Sequence, residues 1–553
     1  MSAAAAHRHT TLDRTVRPGG AGGPTAGAER AYRRLSYGPG EPRLVRDELA
    51  GEPQPASANL VPLLHLSHLT DLQLPDIQSP GRFEFLERLR GLPGARNYVP
   101  AWRPQEALVA HAMAAMVATI NGAPTSPETG APLSLCISTG DSIDNAQLNE
   151  LRWWLALMSG GEVATASGAG AYQGVQAPGW QPAAYWCPEP GPDRYKDRYG
   201  FPTLPGLLSD ALRPFPAPGL SVPWLCCYGN HDGLVLGTSL PTATYQRLLT
   251  GTRKPADLEA GTDPLALVEQ FTSAPELLAG GPSQEVAADP DRRNVTRQEW
   301  VEAHLAVSGW PAGHGYSRRN LETGTAYGCS DIDGPVPVRV ILLDTTNLDG
   351  NFEGSIGQRQ ARWLEERLAE AHSWYWGSDG RRVITGARDR LVIVASHHGL
   401  DTMVNRRQDP RGLEDDHPRL TEAGVRRLLH SFGNVVLWLN GHRHRNHVQA
   451  REDSSHRTSG FWEVSTAALA DWPCQSRLVE LVASDERELL ILCTMLDSDV
   501  PADPAHAERL ERLASLHREL AANDPFAGTG RGSEGRPQDR NAALRLPAPF
   551  SFA

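Results

Sequence analysis

The chain lacks the features that hold small secreted folds together or carry a protein through a membrane. Its seven cysteines in 553 residues form no Cys-x-x-Cys pair, so neither a disulfide framework nor cysteine-ligated zinc finds the spacing it needs. Cys226 and Cys227 stand together in Pro223-Trp224-Leu225-Cys226-Cys227-Tyr228, an apolar run that reads as a buried strand with cysteine as a small hydrophobe. No apolar stretch approaches the length of a membrane span, about 18 residues. Residues 1–51 have no apolar signal-peptide core, and Arg33-Arg34 is followed by Leu35-Ser36-Tyr37-Gly38-Pro39 rather than by a hydrophobic segment. A cytoplasmic protein is expected. Lysine is nearly missing, Lys196 and Lys254 being the only two among 53 basic residues, which points to coding bias more than to function. There is no Gly-x-x-x-x-Gly-Lys phosphate loop, no Gly-x-Ser-x-Gly elbow at a strand end, and no basic stripe with interleaved aromatics. A net charge of −12 argues against a specific nucleic-acid partner gripped by its phosphates. A small phosphorylated substrate stays open, because a few bound cations reverse a local field.

What is present is ordinary for a soluble globular chain: 40% apolar and 21% charged residues, with 53 glycines and 44 prolines that demand many loops. Apolar strands are expected at 63–70, 133–139, 223–228, 338–343, 391–395 and 435–439, with a last pair at 461–466 and 489–495. Helices are expected after Ser79-Pro80, over 104–117, 147–158 and 357–370, and over 505–521, where Leu510, Leu513, Leu516 and Leu520 make one stripe. Strands alternating with helices imply an α/β protein. Residues 1–59 read as a loosely ordered extension and 60–500 as the main domain, interrupted by loop-rich insertions at about 159–220 and 235–335. Residues 501–553 read as a helix and a flexible tail.

One pattern repeats along the main domain. An apolar strand ends and a metal-competent residue follows: Asp71, Asp141, Asn230, His397 and His442. In α/β sheets sites form beyond the carboxyl ends of strands, so these residues are expected on one rim. Carboxylate, amide and imidazole without thiolate suit hard or borderline cations such as manganese, iron or zinc.

The ordered set Asp71-x-Gln73, Gly140-Asp141-x-x-Asp144, Gly229-Asn230-His231-Asp232, His397 and Gly441-His442-Arg443-His444 resembles the calcineurin-like metallophosphoesterases, and within them a bacterial branch with long insertions. The resemblance covers about residues 61–495. It implies a four-layer αββα sandwich of two mixed β-sheets and a binuclear centre of two metal ions, manganese or iron before zinc. By that likeness Asp141 is the bridging carboxylate, Asp71 and His444 hold the first ion, and Asn230, His397 and His442 hold the second. His231 resembles the general acid for the leaving oxygen, or the group that steadies phosphate charge, and Asp232 would orient it. The implied function is hydrolysis of a phosphomonoester or phosphodiester by a metal-bound hydroxide.

Gln73 departs from the family, which has histidine there. An amide oxygen is a poorer ligand than imidazole for borderline metals, so three readings stand side by side: two metals with an altered ligand, one metal, or a decayed site. The rival from another class is a non-catalytic metal- or phosphate-binding scaffold. His65 and His68 read as core histidines, His398 as a neighbour of His397, Asp144 and Asn145 as braces for the Asp141 loop, and Asp344 as structural. Trp180, Tyr185, Trp186, Arg194, Tyr195, Arg198, Arg292 and Arg293 in the insertions are candidate substrate contacts or ordinary loop packing. Substrate identity and oligomeric state are not readable.

Overall fold

The computed structural model describes residues 10–19, 31–50, 60–95, 101–168, 170–180, 184–408, 416–485 and 487–552. Thirteen strands make two mixed sheets: β1 (Leu44–Arg46), β2 (Val61–Leu69), β3 (Leu135–Ser138), β4 (Trp224–Cys226), β5 (Gly328–Ile332), β6 (Val338–Leu343), β7 (Leu391–Ser396), β8 (Val435–Asn440), β9 (His447–Arg451), β10 (Phe461–Ser465), β11 (Gln475–Asp485), β12 (Glu488–Asp497) and β13 (Ala542–Pro547). The larger sheet runs β1-β13-β12-β11-β2-β3-β4 and the smaller β5-β6-β7-β8-β10-β9. β2, β3 and β4 are mutually parallel, as are β6, β7, β8 and β10, and antiparallel strands flank both sets.

Side chains alternate across each strand, and that alternation builds the layers. On β7, Leu391, Ile393 and Ala395 join Leu66 of β2, Ile137 of β3 and Leu439 of β8 in a core between the sheets. Val392 and Val394 face the other way, onto α3 (Gln358–Ala369) and α4 (Glu422–Leu429) through Leu364, Leu368, Val425 and Leu429. The outer face of the larger sheet packs on α1 (Val109–Asn121) and α2 (Leu148–Ser159) through Met116, Ile120, Leu151 and Trp154. The result is the αββα sandwich, with helices packed on the outer face of each sheet. Among the described residues no helix is long and apolar enough to cross a membrane.

Several local expectations need correction. The Ser79-Pro80 start opens two 3-10 turns, Pro80–Arg82 and Glu84–Leu89, because Phe83 between them takes a left-handed backbone (φ 49°) that no α-helix accommodates. The N-terminal extension is partly built into the fold: Arg14–Pro18 pairs with Leu35–Pro39, and β1 edges the larger sheet. Residues 1–9, 20–30 and 51–59 lie outside the described residues. The tail beyond 525 is likewise structured. β13 pairs between β1 and β12, with Ala542, Leu544 and Leu546 buried and the residues between them half exposed. That period-2 pattern is only three residues deep and is surrounded by proline and glycine. The helix before it, α5 (Arg509–Asn523), buries Leu513, Leu516 and Leu520 against Trp180, Tyr185, Trp186 and Tyr195, so these insertion aromatics are packing residues rather than substrate contacts. Arg292 is buried on Asp76 (3.0 Å) and Arg293 pairs with Glu299 (2.7 Å), both structural.

A flexible tail would leave stability untouched on mutation; a sheet strand would not. Leu544→Ala is expected to cost about 2–5 kcal/mol in chemical denaturation, and a loss within about 0.5 kcal/mol would contradict the placement of β13.

Candidate metal centre

The predicted strand-end residues converge. Asp71, Asp141, Asn230, His397 and His442 sit on the loops leaving the parallel strands β2, β3, β4, β7 and β8. The loops are stitched together by backbone: Asp71 N–H donates to Gly140 O (3.1 Å), Gln73 N–H to Asp141 O (2.8 Å), Gly441 N–H to His397 O (3.0 Å) and Ala470 N–H to Asp71 O (3.2 Å). Asp71, Gln73, Asp141, His442 and His444 all take left-handed backbones, with φ between 44° and 67°. Five non-glycine residues held there mark a locally strained rim that the surrounding packing sustains. The motif glycines are needed for contact: a Cβ on Gly229 would collide with the Asp141 carboxylate, and one on Gly441 with Thr70 Oγ1 and Asp71 Oδ2.

Each carboxylate has one oxygen anchored to the protein and one turned inward. Asp71 Oδ2 accepts from Thr70 Oγ1 (2.7 Å) and His442 N–H (2.9 Å), leaving Oδ1 facing His444 Nε2 at 3.2 Å and His397 Nε2 at 4.0 Å. Asp141 Oδ1 accepts from His231 N–H (2.9 Å), leaving Oδ2 facing His397 Nε2 at 3.1 Å. His397 Nδ1–H donates to Thr139 O (3.0 Å), which aims Nε2 at the centre, 3.3 Å from His442 Nδ1. His444 Nδ1–H donates to Asp471 Oδ2 (2.6 Å), which likewise aims Nε2 inward. These backing acceptors fix ring tautomer and orientation, as around metal-ligating histidines generally.

Asn230 supplies the clearest test of fit. It is 2% exposed, its Nδ2 donates to Gly237 O (3.0 Å), and its Oδ1 has no hydrogen-bond partner. Gly237 O can only accept, so the amide orientation is settled. A buried carbonyl oxygen left unmatched among inward carboxylate oxygens and imidazole nitrogens is what a cation would satisfy. Asp71, Asp141 and His397 bring one donor atom each within 4.8 Å of one another, and so do His397, His398 and His442. His398 is nevertheless spoken for: its Nε2–H donates to Phe352 O (2.9 Å) and Thr345 Oγ1 meets its Nδ1 (2.8 Å). It is a neighbour, as expected. His68 is held by Thr139 and Thr466, and burial, reinforced by the nearby Arg477 charge, pushes it down to about 3; it and His65 stay out of the centre.

The electrostatics show a site that demands positive charge. Burial opposes charge on every group here. Against that penalty, Asp141 and Asp71 lift His397 to about 9, and Asp71 with Asp471 lifts His444 to about 10. Conversely, Asp71 is held below the ordinary carboxylate range by His444 and then His397 despite its burial, and Asp141 by His397 and then His231. His442 falls well below its usual value through burial and the neighbouring His397 charge. A cation on these donors would supply the positive charge that the two carboxylates require.

Two sequence expectations change. Asp232 does not touch the His231 ring: its Oδ1 accepts the N–H groups of Ser142 (2.8 Å) and Ile143 (3.1 Å), and its Oδ2 that of Gly229 (2.8 Å). It joins the Asp141 and Asn230 loops and is a positioning residue. The His231 ring is oriented by Asp144, whose backbone O accepts from Nδ1 at 2.6 Å with its carboxylate at 3.7 Å. Gln73 is the second: its Oε1 accepts from Arg103 Nη2 (2.6 Å), and it is Nε2 that faces Asp141 Oδ2, at 3.3 Å. Arg103 and Asp471 carry no sequence motif; only the fold brings them together at the centre.

Above the centre lies a cavity of about 420 Å³, with Asp141, Asn230, His231, His442 and His444 in its wall. Its other side carries Phe352, Phe526, Arg90, Arg443 and Arg531. Arg90 pairs with Glu87, whereas among the described residues Arg443 and Arg531 touch backbone carbonyls, of Asp401 and Pro525, and no carboxylate. Such a space takes a small molecule rather than a bare ion, and its unneutralised guanidinium groups favour an anion.

No family model matches the sequence, and no curated protein matches it. The chain is similar to the solved structure of a dimetal phosphatase from Danio rerio at 14% identity and a TM-score of 0.32, over 79% of this chain and 100% of that one. It is also similar to the purple acid phosphatase PPD1 from yellow lupin seeds at 9% identity and a TM-score of 0.27, over 80% of this chain and 52% of that one.

If the orphaned oxygen of Asn230 belongs to a cation, Asn230→Ala weakens metal retention by at least about tenfold in metal analysis after desalting, while the fold persists by circular dichroism. Retention equal to wild type would contradict that assignment.

Proposed function

We propose that the chain is a calcineurin-like metallophosphoesterase, a metal-dependent hydrolase of a phosphomonoester or phosphodiester. The observation that carries this reading is the convergence of Asp71, Asp141, Asn230, His397, His442 and His444 from strand ends onto one centre beside the cavity, with the buried Asn230 Oδ1 unmatched. These six residues would hold the ions, manganese or iron before zinc on their oxygen and nitrogen donors. When bound, the ions supply Lewis acidity, activating water and neutralising phosphoryl charge.

The chain's own residues do the remaining work. His231 Nδ1–H is committed to Asp144 O, so Nε2 is the ring atom available to the cavity, where it delivers a proton to the departing oxygen or steadies phosphate charge. Arg443 and Arg531 are placed to meet non-reacting ester oxygens, and Phe352 and Phe526 give the leaving group an apolar wall. Seven unpaired cysteines fit the reducing cytoplasm.

His231→Ala should lower turnover of nitrophenyl phosphate mono- or diesters by about 10²–10⁴-fold, the range for loss of a general acid, with metal content unchanged. Turnover equal to wild type would remove His231 from the chemistry. Arg531→Gln should raise KM by about tenfold, the loss of one charge-assisted hydrogen bond, with little change in kcat; an unchanged KM would place the substrate elsewhere.

A further inference from the structure

We propose that Gln73 is not a metal ligand but a fixed hydrogen-bond donor to Asp141, locked in that role by Arg103, so that the centre is asymmetric. The position served by Asp71 and His444 then binds its ion much more weakly than the position served by Asn230, His397 and His442. This rests on the metal-centre reading above and goes beyond it in assigning what the departure from histidine does.

The orientation of the Gln73 amide follows from its partner. Arg103 Nη2 stands 2.6 Å from Oε1, and a guanidinium can only donate. Turning the amide over would set its NH₂ group against a permanent cation. Arg103 cannot yield either, since it is 4% exposed and its Nε donates to Asp471 Oδ1 at 2.6 Å. The inward end of Gln73 is therefore Nε2, which presents hydrogens to Asp141 Oδ2 at 3.3 Å, where a ligand would present a lone pair.

The same guanidinium also reaches His444, in the same half of the site. Asp471 shares its two oxygens between Arg103 and His444 Nδ1–H, and this aims His444 Nε2 at Asp71 Oδ1. Arg103 is thus a positioning residue with two effects: it withdraws Gln73 from ligation and, through Asp471, commits His444 to it. One position keeps Asp71, His444 and the shared Asp141. The other keeps Asp141, Asn230, His397 and His442. The first position has one donor fewer and is the weaker.

The test is calorimetric titration of Mn²⁺ into the chelator-stripped full chain, with metal per chain measured after desalting. For the wild type the expected result is one ion that survives desalting and a second bound at least about tenfold more weakly. In Gln73→Ala both affinities should stay within about twofold of wild type, since no ligand is lost, whereas Gln73→His should tighten the second ion by about tenfold or more. The affinity of the first ion reports that each variant is folded. Two ions of equal affinity in the wild type, a tenfold loss of the second ion in Gln73→Ala, or no gain in Gln73→His overturns the proposal. Failure of the wild type to bind any Mn²⁺ would overturn the metal-centre reading itself, and the proposal with it.

Discussion

Two buried carboxylates sharing one small space are the constraint around which this molecule is arranged. Asp71 and Asp141 are essentially inaccessible to water, and each turns one oxygen inward toward the imidazoles. Burying like charges together is costly unless positive charge enters the same volume. The carboxylates raise His397 to about 9 and His444 to about 10 against the pull of burial. A cation would also satisfy Asn230 Oδ1, which is buried without a hydrogen-bond partner.

Much of the fold serves to keep those groups from relaxing apart. The parallel strands deliver their carboxyl ends to one rim, and the layers of branched side chains on both faces hold the strands in register. The left-handed backbones at Asp71, Asp141, His442 and His444 concentrate strain where the ligand atoms must approach closely. A second layer of contacts locks orientation: Thr139 O behind His397, Asp471 behind His444, Asp232 between two loops, and Asp144 behind His231. The C-terminal segment closes the circuit, with β13 in the larger sheet and Phe526 and Arg531 on the cavity wall.

The inner half of the site was legible in the amino-acid order, because its residues follow shortly after apolar strands and strand ends are local features. Asp71, Asp141, Asn230, His231, His397, His442 and His444 all reach the centre or its cavity. What was not legible depends on contacts between distant segments. Arg103 meets Asp471 across 368 positions, and no spacing rule announces such a pair. Asp232 sits beside His231 in sequence, yet on a single turn of helix its carboxylate caps backbone N–H groups while the imidazole faces the cavity. Gln73 was recognisable as a departure, but which end of its amide points inward is decided by Arg103 alone. The tail beyond 525 hid its strand because alternation over three buried residues is too short to stand out among prolines and glycines.

The most direct test of the central claim is anomalous scattering from crystals of the Mn²⁺-loaded chain, collected near the manganese edge. The structure predicts a strong peak enclosed by Asp141, Asn230, His397 and His442, with a second, weaker peak beside Asp71 and His444. Absence of any peak at the strand-end rim, or peaks confined to other parts of the molecule, would contradict the account.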